Sequence, residues 1–310
     1  MPSNQFLCCC SFQGVPRIMT NTPLYSVCPL TMPDTSFEED LDLVLASGAS
    51  GIGIAEGKLR PGEDEAQLAR LKTSGLKVAG GIPANLAPLP LRPPVMYPGP
   101  DDPSVRIGLM RESVERLAAF KPACIVMTTG SDAGYSKDES WSIAAEGIRD
   151  AARLAADLGT RIAVEVVRGD LGFDASFIRT LSEAGQFIDL VDEPNVGLCY
   201  DVYHVWDSPD VLHFTEQLAG RTYLVQVCDW PDPPRSLADR RIPGEGVIDL
   251  PAIFGALQRG GYAGWYELEI FSDDGRWGHD FPDSLWKLRP AELLERSQEG
   301  FDRLWQKRSR

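Results

Sequence analysis

From about residue 24 to residue 270, short apolar runs alternate with longer stretches in which apolar residues recur every three or four positions. The runs read as buried strands at 25–30, 51–55, 77–82, 123–128, 161–165, 196–201, 222–226 and 264–269. Between them the pattern predicts helices, most clearly near 37–47, 63–74, 103–119 and 138–158. The first opens on Asp34, Thr35 and Ser36 with Glu38 in its first turn and stops near Gly48, as helix boundaries do. Eight strands with seven intervening helices predict a parallel sheet. Spread over about 250 residues, they fit an α/β fold, a single (β/α)₈ TIM barrel with a C-terminal helical tail. A doubly wound sheet would call for a Gly-rich loop after the first strand. That loop is Leu30-Thr31-Met32-Pro33-Asp34, without glycine.

The domain reading is one barrel over 23–310, with the tail starting near 283, preceded by a leader over 1–22 expected to be disordered. Met19 is an alternative start. The tail carries Leu285, Trp286, Leu293, Leu294, Phe301, Leu304 and Trp305. Such residues need covering, by the barrel wall or by a second subunit in a homodimer.

The strand ends carry the candidate chemistry. Glu165, Asp201, Gln226 and Glu269 each lie at or near the end of an apolar run. Neighbouring strand ends of a closed barrel converge on one face, where active sites are built. Three carboxylates and an amide oxygen brought together repel one another unless a cation is present, which points to a hard divalent metal. Glu267 shares a strand face with Glu269; Glu269 is the expected ligand because it lies nearer the carboxyl end. Glu56 and Lys58, after the second strand, are placed to reach the pocket, and Lys58 is taken as a substrate-binding candidate. Arg168, Asp132 and Trp230 are weaker candidates.

Composition narrows the partners. A formal charge of −15 argues against a nucleic-acid polyanion. Nothing approaches the ~18 consecutive apolar residues of a membrane span. Without a secretory pattern, a cytoplasmic location is expected. Seven cysteines, three of them the run Cys8-Cys9-Cys10, have no disulfide-framework spacing and no CxxC pair.

Three stretches resemble the sugar phosphate isomerase/epimerase superfamily, the xylose isomerase-like barrels. They are residues 192–204, ending in Asp201-Val202-Tyr203-His204; Arg240-Arg241-Ile242-Pro243-Gly244-Glu245-Gly246 with Asp249 beyond; and 261–269. The resemblance implies that Glu165, Asp201 and Glu269 are metal ligands. It places Gln226, in Gln226-Val227-Cys228-Asp229, where the family usually has histidine. Glutamine suits manganese or magnesium, with cobalt a further option, better than zinc or copper. The resemblance also implies substrate contacts for His204 and Arg240, although adjacent Arg241 leaves the register open. With only His204, His213 and His279, the chain lacks the histidines of the three-zinc endonucleases of this fold.

The implied reaction starts on a sugar or sugar-like keto-polyol held by the metal through adjacent oxygens. Glu165 or Glu269 removes the proton next to the carbonyl to leave an enediolate. Return of the proton gives an epimer or an isomer; loss of a β-hydroxyl gives dehydration. A metal-dependent isomerase or epimerase is the leading reading. A lyase of the inosose or 3-dehydroshikimate dehydratase kind is second, favoured by Gln226. A barrel that binds sugar or supports a partner without turnover is third. The loops 83–102 and 229–246 are expected to set the substrate.

Overall fold

The computed structural model describes residues 22–93 and 99–308. The leader expected over 1–22, including Cys8-Cys9-Cys10, falls outside them but for Thr22. Eight parallel strands close into a barrel in sequence order. They are β1 (Leu24–Val27), β2 (Gly51–Ala55), β3 (Lys77–Ile82), β4 (Cys124–Met127), β5 (Ile162–Glu165), β6 (Val196–Asp201), β7 (Thr222–Val227) and β8 (Trp265–Leu268). The first strand is shorter than expected, because Pro29–Thr31 turn into a 3₁₀ segment. Proline there has no N–H to give a ladder.

The connecting helices are α1 (Phe37–Ser47), α2 (Asp64–Ser74), α3 (Pro103–Ala118), α4 (Lys137–Asp157), α5 (Leu181–Val191), α6 (Val202–Val205), α7 (Val211–Leu218) and α8 (Leu250–Arg259); α9 (Pro290–Lys307) follows β8. Helix α1 starts on a capping box between Ser36 and Glu39 and ends at Gly48, whose φ of 86° suits glycine. The β6–β7 connection holds two helices, one more than expected. The extra one is the single turn α6, which carries His204 directly behind Asp201.

Alternation along the strands separates two cores. Ile125, Met127, Ile162, Val164, Leu198, Tyr200, Val225, Tyr266 and Leu268 face outward into the large core under the helices. Their neighbours Cys124, Val126, Ala163, Cys199 and Leu224 form a smaller inner cluster. Side chains two residues on share a face, so Glu165 follows Ala163, Asp201 follows Cys199, Gln226 follows Leu224, and Glu267 follows Trp265 into the barrel.

The tail packs on its own barrel. Leu293, Leu294, Phe301 and Trp305 are buried. Phe301 lies against Tyr25, Phe254, Tyr266 and Trp305 with ring centroids 4.8–5.8 Å apart. The homodimer expectation rested on these residues needing cover. They have it within the chain, so the tail no longer argues for a second copy.

Candidate metal centre and pocket

Register closes the site. Glu165 pairs with Cys199, Asp201 with Gln226, and Gln226 with Glu267 across β5 to β8. Glu269 lies one residue beyond β8, and its N–H donates to the Val227 carbonyl at 3.1 Å. All four expected ligands therefore stand at the carboxyl ends of neighbouring strands. Glu165, Asp201 and His204 bring one ligand atom each to within 4.8 Å of one another.

Asp201 does two jobs with two oxygens. Oδ1 accepts the Tyr203 N–H at 2.9 Å and caps α6. Oδ2 turns into the site, where it has no hydrogen-bond partner and is met by the Arg240 guanidinium at 2.9 Å and His204 Nε2 at 3.4 Å. The capping turn is what swings His204 over the barrel mouth. The Arg168 N–H donates to His204 Nδ1 at 3.4 Å. Nε2 faces Asp201 at 3.4 Å, Glu165 at 3.8 Å and Arg240 Nη2 at 3.4 Å, so the tautomer decides whether it donates to a carboxylate or accepts from the guanidinium. Burial pushes the His204 pKa down to about 4, against the pull of Asp201. The ring is thus neutral at neutral pH, with Nε2 turned to the site.

The register between the two arginines is resolved by their surroundings. Arg240 is buried, 1% exposed, between the rings of Tyr203 and Phe271 at 4.6 and 4.7 Å. Nη1 donates to Glu269 Oε2 at 3.0 Å. Burial opposes its charge, but Asp201 above all and Glu269 hold its proton firmly. Arg241 points away and pairs with Asp283 at 2.9 Å. Asp229 braces this loop: Oδ1 accepts the N–H groups of Trp230 and Ile248, and Oδ2 that of Gly244, at 2.8–3.0 Å.

Enclosure raises the Glu165 pKa well above the carboxylate range, and the charges of Glu269 and Asp201 add to it. For Glu269 burial dominates and lifts the pKa to about 7, with Arg240 opposing and Asp201 adding. Three carboxylates facing one guanidinium leave two negative charges when all are ionised, which a divalent cation would neutralise. Asp201 Oδ2, ion-paired but without a well-formed hydrogen bond, and Glu165, which meets His204 only at 3.8 Å, suit such an ion. Gln226 is placed differently from the expectation. Its Nε2 donates to Glu269 Oε1 at 2.8 Å, and its oxygen accepts from Cys199 Sγ at 3.2 Å. Ligation by Gln226 requires its amide turned over, which exchanges oxygen for nitrogen at almost unchanged shape.

Four sequence candidates are placed elsewhere. Lys58 does not join the group. Its Nζ donates to Met32 O at 2.7 Å and Asp40 at 2.8 Å, neutralising a buried carboxylate beneath the loop after β1. Glu56 accepts the Ala84 N–H at 2.8 Å and braces the loop after β3. Arg168 lies over Trp230 at 4.1 Å, paired with Asp170 and Asp207. Asp132 accepts the Gly134 N–H in an exposed turn.

One residue was passed over. Glu267 is buried one layer below Glu269, and neither of its oxygens has a well-formed hydrogen bond. Burial, with the charge of Glu269, lifts its pKa to about 8. A Cβ on Gly53 would stand 2.8 Å from Glu267 Oε1, so that glycine makes the room. The period-two pattern signals both glutamates equally.

The family model for xylose isomerase-like TIM barrels matches residues 41–302. The chain belongs to that family. It is 30% identical over 154 residues to an inosose dehydratase of Klebsiella pneumoniae, covering 44% of this chain and 49% of that protein. It is 26% identical over 167 residues to an inosose isomerase of Bacillus velezensis, covering 53% and 55%. The chain thus spans about half the length of the curated relatives it matches. The crystal structure of protein SMc04130 from Sinorhizobium meliloti superposes with a TM-score of 0.76 at 26% identity, over 91% of this chain and 98% of that one. Among the described residues no helix is long and apolar enough to cross a membrane.

Proposed function

We propose that this xylose isomerase-like barrel is a divalent-metal-dependent enzyme that removes the proton beside the carbonyl of a sugar-like α-hydroxy ketone, acting as an isomerase or epimerase. The observation that carries the reading is the convergence of Glu165, Asp201 and Glu269 at the strand ends, Asp201 and Glu269 on the buried Arg240 guanidinium and Glu165 beside His204. Glu165, Asp201 and Glu269 would hold a manganese or magnesium ion, which would supply Lewis-acid polarisation of the carbonyl. Glu165 and Glu269 are the candidate bases; enclosure raises both, Glu269 to about 7, near the range that proton transfer at neutral pH needs. His204 Nε2, facing the site, is the atom that meets a substrate oxygen. Arg240 holds Glu269 and Asp201 in place and keeps their charge tolerable in a dry site. The partner is a small molecule, and a formal charge of −15 argues against a nucleic acid.

A dehydratase is the second reading. Gln226 in the fourth ligand position and the kinship to an inosose dehydratase favour it. Proton removal is common to both, so the products separate them. Manganese-loaded protein is incubated in heavy water with a panel of α-hydroxy ketones, from keto-sugars and inososes to ketones with an unhydroxylated body. Deuterium beside the carbonyl in a product isomeric with the substrate supports the first reading; a product lighter by one water supports the second. Glu165→Gln and Glu269→Gln should each slow exchange by roughly 10²–10⁴. Absence of both exchange and saturable metal binding would sink both readings.

A further inference from the structure

The pocket over the site has two unlike halves and is partly open to solvent. Glu165, His204, Gln226, Arg240 and Glu269 form one half. The other half is apolar: Leu86, Leu91, Val167 and Phe173 pack into one cluster, Leu30 packs on Ile82, and Phe271 lies on the Arg240 guanidinium. Among the described residues Thr128 is the polar side chain of that second half, and its buried hydroxyl has no hydrogen-bond partner. Leu30, Phe173 and Phe271 are only partly buried, so apolar surface remains open toward the cavity.

Water against such a wall is what an apolar ligand displaces favourably. A hydroxyl pressed against it loses its water and, away from Thr128, finds no side-chain partner. A ring or chain hydroxylated at every carbon meets that penalty at several positions. A molecule oxygenated along one edge does not.

We propose that the substrate is a ketone whose oxygens are confined to one edge, with a hydrocarbon body lying against Leu30, Leu86, Leu91 and Phe173. The polar edge rests on the metal-centre reading above; the apolar half stands on the wall itself. Leu86 and Leu91 lie in the loop expected to set the substrate, and Phe173 adds a loop that the pattern did not single out. These residues are specificity determinants, whereas the strand-end group carries the reaction.

Two hydroxamates share a bidentate head and differ in the body: benzohydroxamate and gluconohydroxamate. Calorimetric titration of the full chain, with and without manganese, compares them. Benzohydroxamate should bind tighter by roughly tenfold to a hundredfold, the worth of burying one ring. Leu30→Asn and Phe173→Asn should remove about tenfold of that affinity and leave gluconohydroxamate unchanged, which also reports that the variants are folded. Equal or tighter binding of gluconohydroxamate, no binding of benzohydroxamate, or indifference to both substitutions overturns the inference. Manganese dependence reads the other claim. A preference for benzohydroxamate that ignores manganese keeps the apolar wall and refutes the metal centre. Manganese-dependent binding without preference does the reverse.

Discussion

Arg240→Met tests the electrostatic logic of the site without any substrate. In the metal-stripped protein this side chain is the cation among three carboxylates, 2.9 Å from Asp201 and 3.0 Å from Glu269. Methionine keeps much of the apolar volume between Tyr203 and Phe271 and deletes the charge. Removing one partner of a buried ion pair costs about 3–5 kcal/mol, because the other charge stays behind unpaired. Two carboxylates lose their partner here, so the upper part of that range applies. For a chain of this size that lowers Tm by on the order of 10 °C. Manganese at a hundred times its dissociation constant should return about 2.7 kcal/mol, and Tm should climb back accordingly. Differential scanning calorimetry in chelator and then in excess manganese reads both numbers. Arg296→Met is the control: its pair with Glu245 is 40% exposed on both sides and should be worth under about 1 kcal/mol. A metal-free Arg240→Met protein melting within a degree of the parent would show that the carboxylates carry no buried charge, and the reasoning would fail.

Other consequences are equally concrete. A methyl group on Gly246 would lie 2.4 Å from both Asp229 Oδ1 and the Trp230 carbonyl, so Gly246→Ala should cost about 2–3 kcal/mol and loosen the 240–248 loop, read by urea denaturation and limited proteolysis. Phe301→Ala should cost about 3–5 kcal/mol by emptying the tail–barrel contact while the sedimentation coefficient stays that of the parent; a shift in assembly state would restore an intersubunit role for the tail. Burial lifts the Asp40 pKa to about 6 despite Lys58. Because this folded value exceeds the unfolded one of about 3.9, its contribution is complete below pH ~4 and is lost as pH rises through 6, an amount of about 3 kcal/mol. The difference in unfolding free energy between parent and Asp40→Asn should therefore change by that order between pH 4 and pH 7.5; a pH-independent difference would contradict it.

Much of the barrel was legible along the chain, because helix and strand periods are local. The runs at 51–55 and 77–82 match β2 and β3 residue for residue. The strand ends holding Glu165, Asp201, Gln226 and Glu269 could be read the same way, since a period of two assigns a face without knowing the neighbour. What the pattern could not supply is what each side chain meets once the barrel closes. Glu267 and Glu269 share one face, and only the layering of β8 against Gly53 and Gln226 separates an interior acid from one at the mouth. Lys58 looked free beside the mouth, yet Asp40, eighteen residues earlier, captures it. Arg240 and Arg241 are neighbours with the same chemistry, and the β-bridge of Asp229 to Arg241 turns one inward and the other out. The apolar half of the pocket is assembled from loops distant in sequence, where no period links the residues. Local pattern thus determined the elements and the candidate ligands; barrel closure and loop packing decided which charges meet, which are spent on structure, and what the pocket will accept.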